Sequence, residues 1–196
     1  MQNQSPEQSK RFIALSIGRP PPQPTIQPIA DTQVSIMFEK LRALLEERNA
    51  RFRVIHHPAA GTSESVAAIR GTAPSQGAKA MLCQVNGQPE LLVLAILPGN
   101  QKIDFRKVGE LVGAKKASLA SPELARERTG CEIGAIPPFS FNPSIRLVAD
   151  PQLFAMHDEI AFNAGRLDAS MVLDSQDYLR IAQPLLADIT KQNPDQ

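Results

Sequence analysis

Cysteine is scarce in this 196-residue chain, where Cys83 and Cys131 are the only two. They form neither a metal-binding spacing nor a disulfide framework and are expected as small buried hydrophobes. The three histidines, His56, His57 and His157, make no HExxH string and no i, i+4 pair, so neither a metal nor another cofactor is expected. Long apolar runs are also missing. The longest, residues 91–97, is far too short to cross a bilayer. The segment from Ile13 to Ile17 soon meets Arg19 and prolines, which excludes a signal peptide's apolar stretch. No membrane association is expected, and a cytoplasmic location follows. Nor is there a surplus of one charge: 21 basic against 20 acidic residues give a formal net charge of +1. Affinity for long nucleic acid comes largely from neutralising phosphates. DNA is therefore not an expected partner, and any contact with another nucleic acid should touch few phosphates. No internal repeat, Ser/His/Asp order, phosphate loop or carboxylate pair stands out.

What is present describes one soluble domain, with 42% hydrophobic and 21% charged residues. Residues 1–32 are rich in Gln, Ser and Pro, and the run Arg19-Pro20-Pro21-Pro22-Gln23-Pro24 favours extended polyproline II. They read as a flexible extension, in which Ile13, Leu15 and Ile17 could dock as a short edge strand. Residues 33–196 read as the folded domain. Met37, Phe38, Leu41, Leu44 and Leu45 recur with helical period, and residues 52–56 alternate as a strand. Thr62 or Ser63 can cap a short helix carrying Val66, Ala67 and Ile69, with Gly71 at its end. A hairpin follows, residues 80–85 and 91–97 around Asn86-Gly87, and its second strand is apolar enough to be central. Helices are expected at 104–112 and from Ser121-Pro122-Glu123 to Thr129-Gly130, then strands near 145–149, 158–163 and 169–173. A helix at 177–182 is interrupted by Pro184, and a second short helical piece is expected beyond it. The mixture lacks a regular βαβ rhythm. It implies an α+β fold with a mixed, largely antiparallel central sheet flanked by helices.

Three strings could carry chemistry. Gly77-Ala78-Lys79 places an ammonium at the entrance of a hydrophobic strand, where it could stabilise negative charge or simply reach solvent. Gly130 through Phe139 contains Gly134-Ala135-Ile136-Pro137-Pro138, a stiff loop whose backbone could face a carbonyl or only turn beneath the sheet. Asn163, ahead of Gly165, could bond a substrate or stabilise a turn. His57-Pro58 and Thr62-Ser63-Glu64 complete the set: His57 could act as acid or base or anchor a loop.

In their order and spacing, His57-Pro58, Thr62-Ser63-Glu64, Gln76-Gly77-Ala78-Lys79 and Thr129-Gly130 through Phe139 closely resemble the YbaK family. That family comprises the editing (insertion) domain of bacterial prolyl-tRNA synthetase and its free-standing relatives. The likeness runs from about residue 34 to 187, and residues 130–141 and 158–165 look closest to the YeaK-like branch. The resemblance implies metal-independent hydrolysis of the ester between a wrong amino acid and the terminal adenosine of tRNA. Lys79 matches the family's essential lysine, and Gly134 to Pro138 its GxxxP loop. By that analogy Lys79 anchors the 3′-terminal nucleotide or stabilises the oxyanion, while the loop positions the ester and a water. Ala80 stands where alanine-specific relatives tend to carry asparagine, and Asn163 where some place a histidine. A small amino acid, Ser, Thr or Ala, is the expected substrate side chain. With no synthetase core in the sequence, the enzyme would act in trans on the acceptor end of mischarged tRNA, with a synthetase as a further candidate partner. The alternative is a non-catalytic module of the same fold that binds aminoacyl-tRNA or a synthetase.

Overall fold

The computed structural model describes residues 29–60 and 62–192. The proline-rich run and the strand expected around Ile13 lie outside them. Helix α1 (Ile29–Glu47) begins ahead of the boundary expected at residue 33 and buries Phe38, Leu41 and Leu45. Strand β1 (Phe52–His56) leads to α2 (Ser63–Arg70). Thr62 accepts from the Ser65 amide, and Gly71, at φ 68°, closes the helix with its N–H on Ala67 and Ala68 carbonyls, a left-handed cap that glycine adopts without a Cβ penalty. Val66 and Ala67 are buried, whereas Ile69, expected on the same apolar face, is exposed.

A short 3₁₀ turn (Pro74–Gln76) delivers the chain into β2 (Ala78–Val85), which pairs antiparallel with β3 (Gln88–Pro98). Helix α3 (Phe105–Glu110), β4 (Ala117–Leu119) and α4 (Pro122–Thr129) follow. The chain then forms β5 (Ile145–Ala149), α5 (Gln152–Ala155), β6 (Glu159–Asn163), β7 (Ala169–Asp174), α6 (Ser175–Ala182) and β8 (Leu185–Leu186). The last of these corrects the helix expected after Pro184. Gln183 adopts the left-handed conformation that ends α6, and Leu185 and Leu186 pair parallel with Val148 and Ala149. Sheet pairing with a distant strand outweighs local helix propensity here.

The fold is α+β, but its strands make two sheets where one central sheet was expected. One is antiparallel, in order β1-β7-β6; the other is mixed, in order β4-β2-β3-β5-β8. As expected, β3 is central: Leu92 through Leu97 are all buried, between two packed faces. Leu92, Leu94 and Ile96 join Leu82, Ile136, Phe139, Phe162 and Met171 in the larger core, beneath the three-stranded sheet and α1. Val93, Ala95 and Leu97 join Cys83, Val85, Val108 and Ile189 on the other face. Alternation along the strand thus divides one hydrophobic sequence between two cores.

The sheets meet along one edge of β2. At its far end Cys83 to Val85 pair with β4, and at its start Gly77 bridges Ala161 of β6. Between these attachments, the edge at Lys79 to Met81 has no partner strand among the described residues. That gap is where the cavity opens.

Candidate active site

Along this gap lies a cavity of about 230 Å³. One wall is β2 itself, from Gly77 to Leu82, and the opposite wall is Ala161, Phe162 and Asn163 of β6 with Gly134 and Ile136. Helix α2 forms a third wall through Ser63, Val66 and Arg70, which share one helical face at spacings of three and four. From Ser63 to Arg70 that face runs about 10 Å at 1.5 Å per residue.

A cation stands at each end of this helical wall. Lys79 leaves β2 on the face opposite Ala78 and Leu82, and its Nζ donates to the carbonyls of Gln101 at 2.6 Å and Gly99 at 3.2 Å. Gly99 approaches Ser63 so closely that a Cβ on it would lie 3.2 Å from the Ser63 Cβ and 2.6 Å from the Pro74 carbonyl. Lys79 therefore belongs to the Ser63 end. Desolvation lowers its pKa, opposed by attraction to Glu64. The amine is half-buried and fixed, with one of its three donors unengaged.

Arg70 occupies the other end. Its Nε donates to Ser170 Oγ and its Nη2 to Asn163 Oδ1, both at 2.8 Å. Desolvation alone pulls its pKa down to about 10, and no carboxylate among the described residues pairs with it. Asn163 is 7% exposed, and its Nδ2 donates to the carbonyls of Gly134 (2.8 Å) and Ala60 (3.2 Å). Ser170, fully buried, also contacts His57 Nε2 at 2.6 Å, while His57 Nδ1 lies 2.8 Å from the Pro58 carbonyl. A carbonyl only accepts, so Nδ1 carries the proton in this arrangement. The network His57–Ser170–Arg70–Asn163–Gly134 thus ties the closed end of the cavity together.

The residues singled out from sequence divide into two groups. Lys79, Ser63, Gly134, Ile136 and Asn163 share the cavity wall. His57 lies behind it, in contact with Ser170. Ala135 is buried, with its N–H on Glu132 and its carbonyl accepting from Gly165. Pro137 lines a second cavity of about 190 Å³ on the far side of Ile136, and the Pro138 carbonyl accepts from Tyr178 Oη at 2.9 Å. Gly165, at φ 78°, packs under α1, where a Cβ would lie 2.8 Å from the Met37 side chain. These residues shape and support the turn from behind. Sequence reasoning missed Arg70 and Ser170. Arg70 is the last residue of a helix whose stop at Gly71 was legible, but nothing local reveals that its charge has no partner.

Among the described residues the wall carries no carboxylate, imidazole or thiol. Burial pushes the thiols of Cys83 and Cys131, which lie elsewhere, up to about 12 and about 11. What the site offers is hydroxyls, backbone groups and two fixed cations, a set suited to holding an oxygen-rich substrate and stabilising developing negative charge.

Fold and site together define an editing-type hydrolytic domain, and the chain belongs to the aminoacyl-tRNA editing domain family, whose description matches residues 57–181. It is 52% identical over 158 residues to the Multifunctional Ser/Thr-tRNA deacylase ProXp-y of Escherichia coli (strain K12), covering 80% of this chain and 95% of that protein. A proline–tRNA ligase of Bacillus licheniformis is 34% identical over 107 residues, 55% of this chain and 18% of the ligase. Among solved structures, a candidate trans-editing enzyme for prolyl tRNA synthetase superposes with a TM-score of 0.69 at 24% identity, over 80% of this chain and 98% of that one. That likeness supports the α+β fold. Among the described residues no helix is long and apolar enough to cross a membrane.

Proposed function

We propose that this protein is a trans-acting aminoacyl-tRNA deacylase that cleaves the ester joining serine or threonine to the terminal adenosine of a mischarged tRNA. The observation that carries this reading is the single cavity shared by Lys79, Ser63, Gly134, Ile136 and Asn163. The Ser/Thr-tRNA deacylase activity of the E. coli relative, aligned over 95% of its length, supplies the substrate class. Small wall residues, Ala80, Ala161 and Gly134 among them, suit an amino acid with a short side chain.

In the reaction, a water oxygen bonds to the ester carbonyl carbon, and the carbonyl electron pair moves onto its oxygen. The tetrahedral species collapses by breaking the bond to the ribose oxygen. That oxygen takes a proton, and free amino acid and deacylated tRNA leave. Lys79 stands at the outer end, its ammonium oriented by two carbonyls, and supplies positive charge to the oxyanion or to the terminal phosphate. The Gly134 turn, pinned by Asn163, orients the ester. With no carboxylate, imidazole or thiol among the described wall residues to accept it, the proton from water passes to a substrate group or to solvent. The acceptor end of charged tRNA is the partner this chemistry requires, and the cytoplasm, where such tRNA is at hand, is the location that suits this reading. A synthetase is a further candidate partner.

Purified protein should release amino acid from Ser- and Thr-charged tRNA. Lys79→Ala should lower kcat/KM by about 100-fold or more, the scale set by removing one preorganised electrostatic donor, while leaving the thermal midpoint within a few degrees. Full activity in that variant would refute the role of Lys79. Binding of charged tRNA without any turnover would instead identify a non-catalytic module.

A further inference from the structure

Arg70 is the most unusual charge in the described structure. It is largely desolvated, lines the cavity, and has only two neutral acceptors, Ser170 Oγ and Asn163 Oδ1. Among the described residues its Nη1 has no hydrogen-bond partner. Most other described arginines with resolved partners are matched by acid: Arg51 with Asp174 and Asp177, Arg126 with Glu132, Arg180 with Asp177. A guanidinium withdrawn from water without a counter-charge is costly, and it becomes favourable when a ligand oxygen fills the vacant donor positions.

The cavity's two ends decide which part of the substrate that oxygen belongs to. The terminal phosphate continues into the rest of the tRNA, so it must lie where the chain can leave. The amino-acid side chain is a dead end and fits the closed side. Lys79 sits by exposed Thr62 and Asn100 and part-exposed Gln101. The Arg70 head group ends on Asn163 and Ser170, which are 7% and 0% exposed, with His57, 8% exposed, behind Ser170. The inner cation is therefore placed for the side chain and the outer one for the nucleotide.

We propose that Arg70 is a specificity-determining residue, its free Nη1 donating to the β-hydroxyl of a serine or threonine attached to the tRNA. This deepens the deacylase reading and rests on it. A donor-only group cannot be satisfied by the methyl of alanine, so an alanyl ester leaves the guanidinium as unpaired as in the empty site. A site built to bond a hydroxyl penalises the substrate lacking it far more than an apolar pocket penalises an extra one.

The test compares hydrolysis of one tRNA charged with serine and with alanine, using the full chain and its Arg70→Met and Arg70→Gln variants. Wild type should prefer the seryl ester. Arg70→Met should lower kcat/KM for the seryl ester by about 10- to 100-fold more than for the alanyl ester, the worth of a hydrogen bond to a charged donor. Arg70→Gln retains neutral donors for Ser170 and Asn163. It should show the same loss of preference with a near-native thermal midpoint, which covers the case where the methionine variant fails to fold. A wild type without preference, a ratio unchanged in the glutamine variant, or equal losses on both esters would each overturn the proposal. Equal losses accompanied by a shallower salt dependence would make Arg70 a phosphate anchor. Wild-type protein inactive on every charged tRNA would sink the deacylase reading itself, a result plainly distinct from an active enzyme with an indifferent Arg70.

Discussion

Asn163 directs all of its polar capacity inward. Its oxygen accepts from Arg70 and Ser170, and its amide nitrogen donates to Gly134 and Ala60. It thereby joins β6, the Gly134 turn, α2 and the segment after β1. Replacing it with alanine would strip the Gly134 carbonyl and the Arg70 guanidinium of partners in a buried setting. Each unsatisfied group costs about 1–3 kcal/mol, so Asn163→Ala should lose roughly 2–4 kcal/mol of stability by urea unfolding. Its deacylation should fall on seryl and alanyl esters alike, because the turn that orients the ester is loosened. A stability change under about 1 kcal/mol would show that water replaces these bonds. From sequence, Asn163 could have been a substrate contact or a turn stabiliser. The structure makes it a brace on the cavity wall, a role set by partners as far away as residue 60.

At the scale of elements, α1 lies directly on the turn after β6. Gly165, at φ 78°, leaves no room there: a Cβ would stand 2.8 Å from Met37 Cγ and 3.4 Å from the Phe38 amide nitrogen. Gly165→Ala combines a left-handed backbone with a collision against a helix. It should destabilise by about 2–4 kcal/mol, read as a lower urea midpoint, and a variant of wild-type stability would mean that α1 yields freely. The same scale shows what the sequence made legible. Helices α2 and α4 announced themselves because Thr62, Gly71, Ser121 and Gly130 each satisfy a terminal backbone group locally. The β2–β3 hairpin did so through Asn86-Gly87. Strand β8 stayed hidden because two leucines become a strand only where β5 offers its edge. The division into two sheets was equally invisible, since β4 and β6 share one edge of β2 from positions far apart in sequence. Lys79 and the Gly134 turn were found through ordered motifs. Arg70 was not, because the absence of a counter-charge is a property of three-dimensional packing.

At the scale of the whole molecule, charge sets how the protein meets tRNA. The formal net charge is +1, and many surface cations are already engaged. Arg51 pairs with Asp174 and Asp177, Lys107 with Asp188, Arg126 with Glu132 and Arg166 with Asp168. Exposed pairs of this kind add little stability, but they cancel the field that would otherwise draw phosphates. Among the described residues, the cations on the cavity wall are Lys79 and Arg70, and of these Lys79 is at the outer end, where a tRNA backbone could pass. Recognition should therefore be confined to the aminoacylated end, with about one or two phosphates neutralised. Each phosphate contact on a single strand contributes about −0.7 to the slope of log affinity against log salt. Plotted over about 50–300 mM KCl, log kcat/KM for seryl-tRNA should accordingly fall with a slope no steeper than about −1.5. A short acylated oligonucleotide carrying only the terminal bases should show nearly the same slope. A slope beyond about −3 on full tRNA, absent from the oligonucleotide, would mean instead that basic residues away from the cavity also take phosphates.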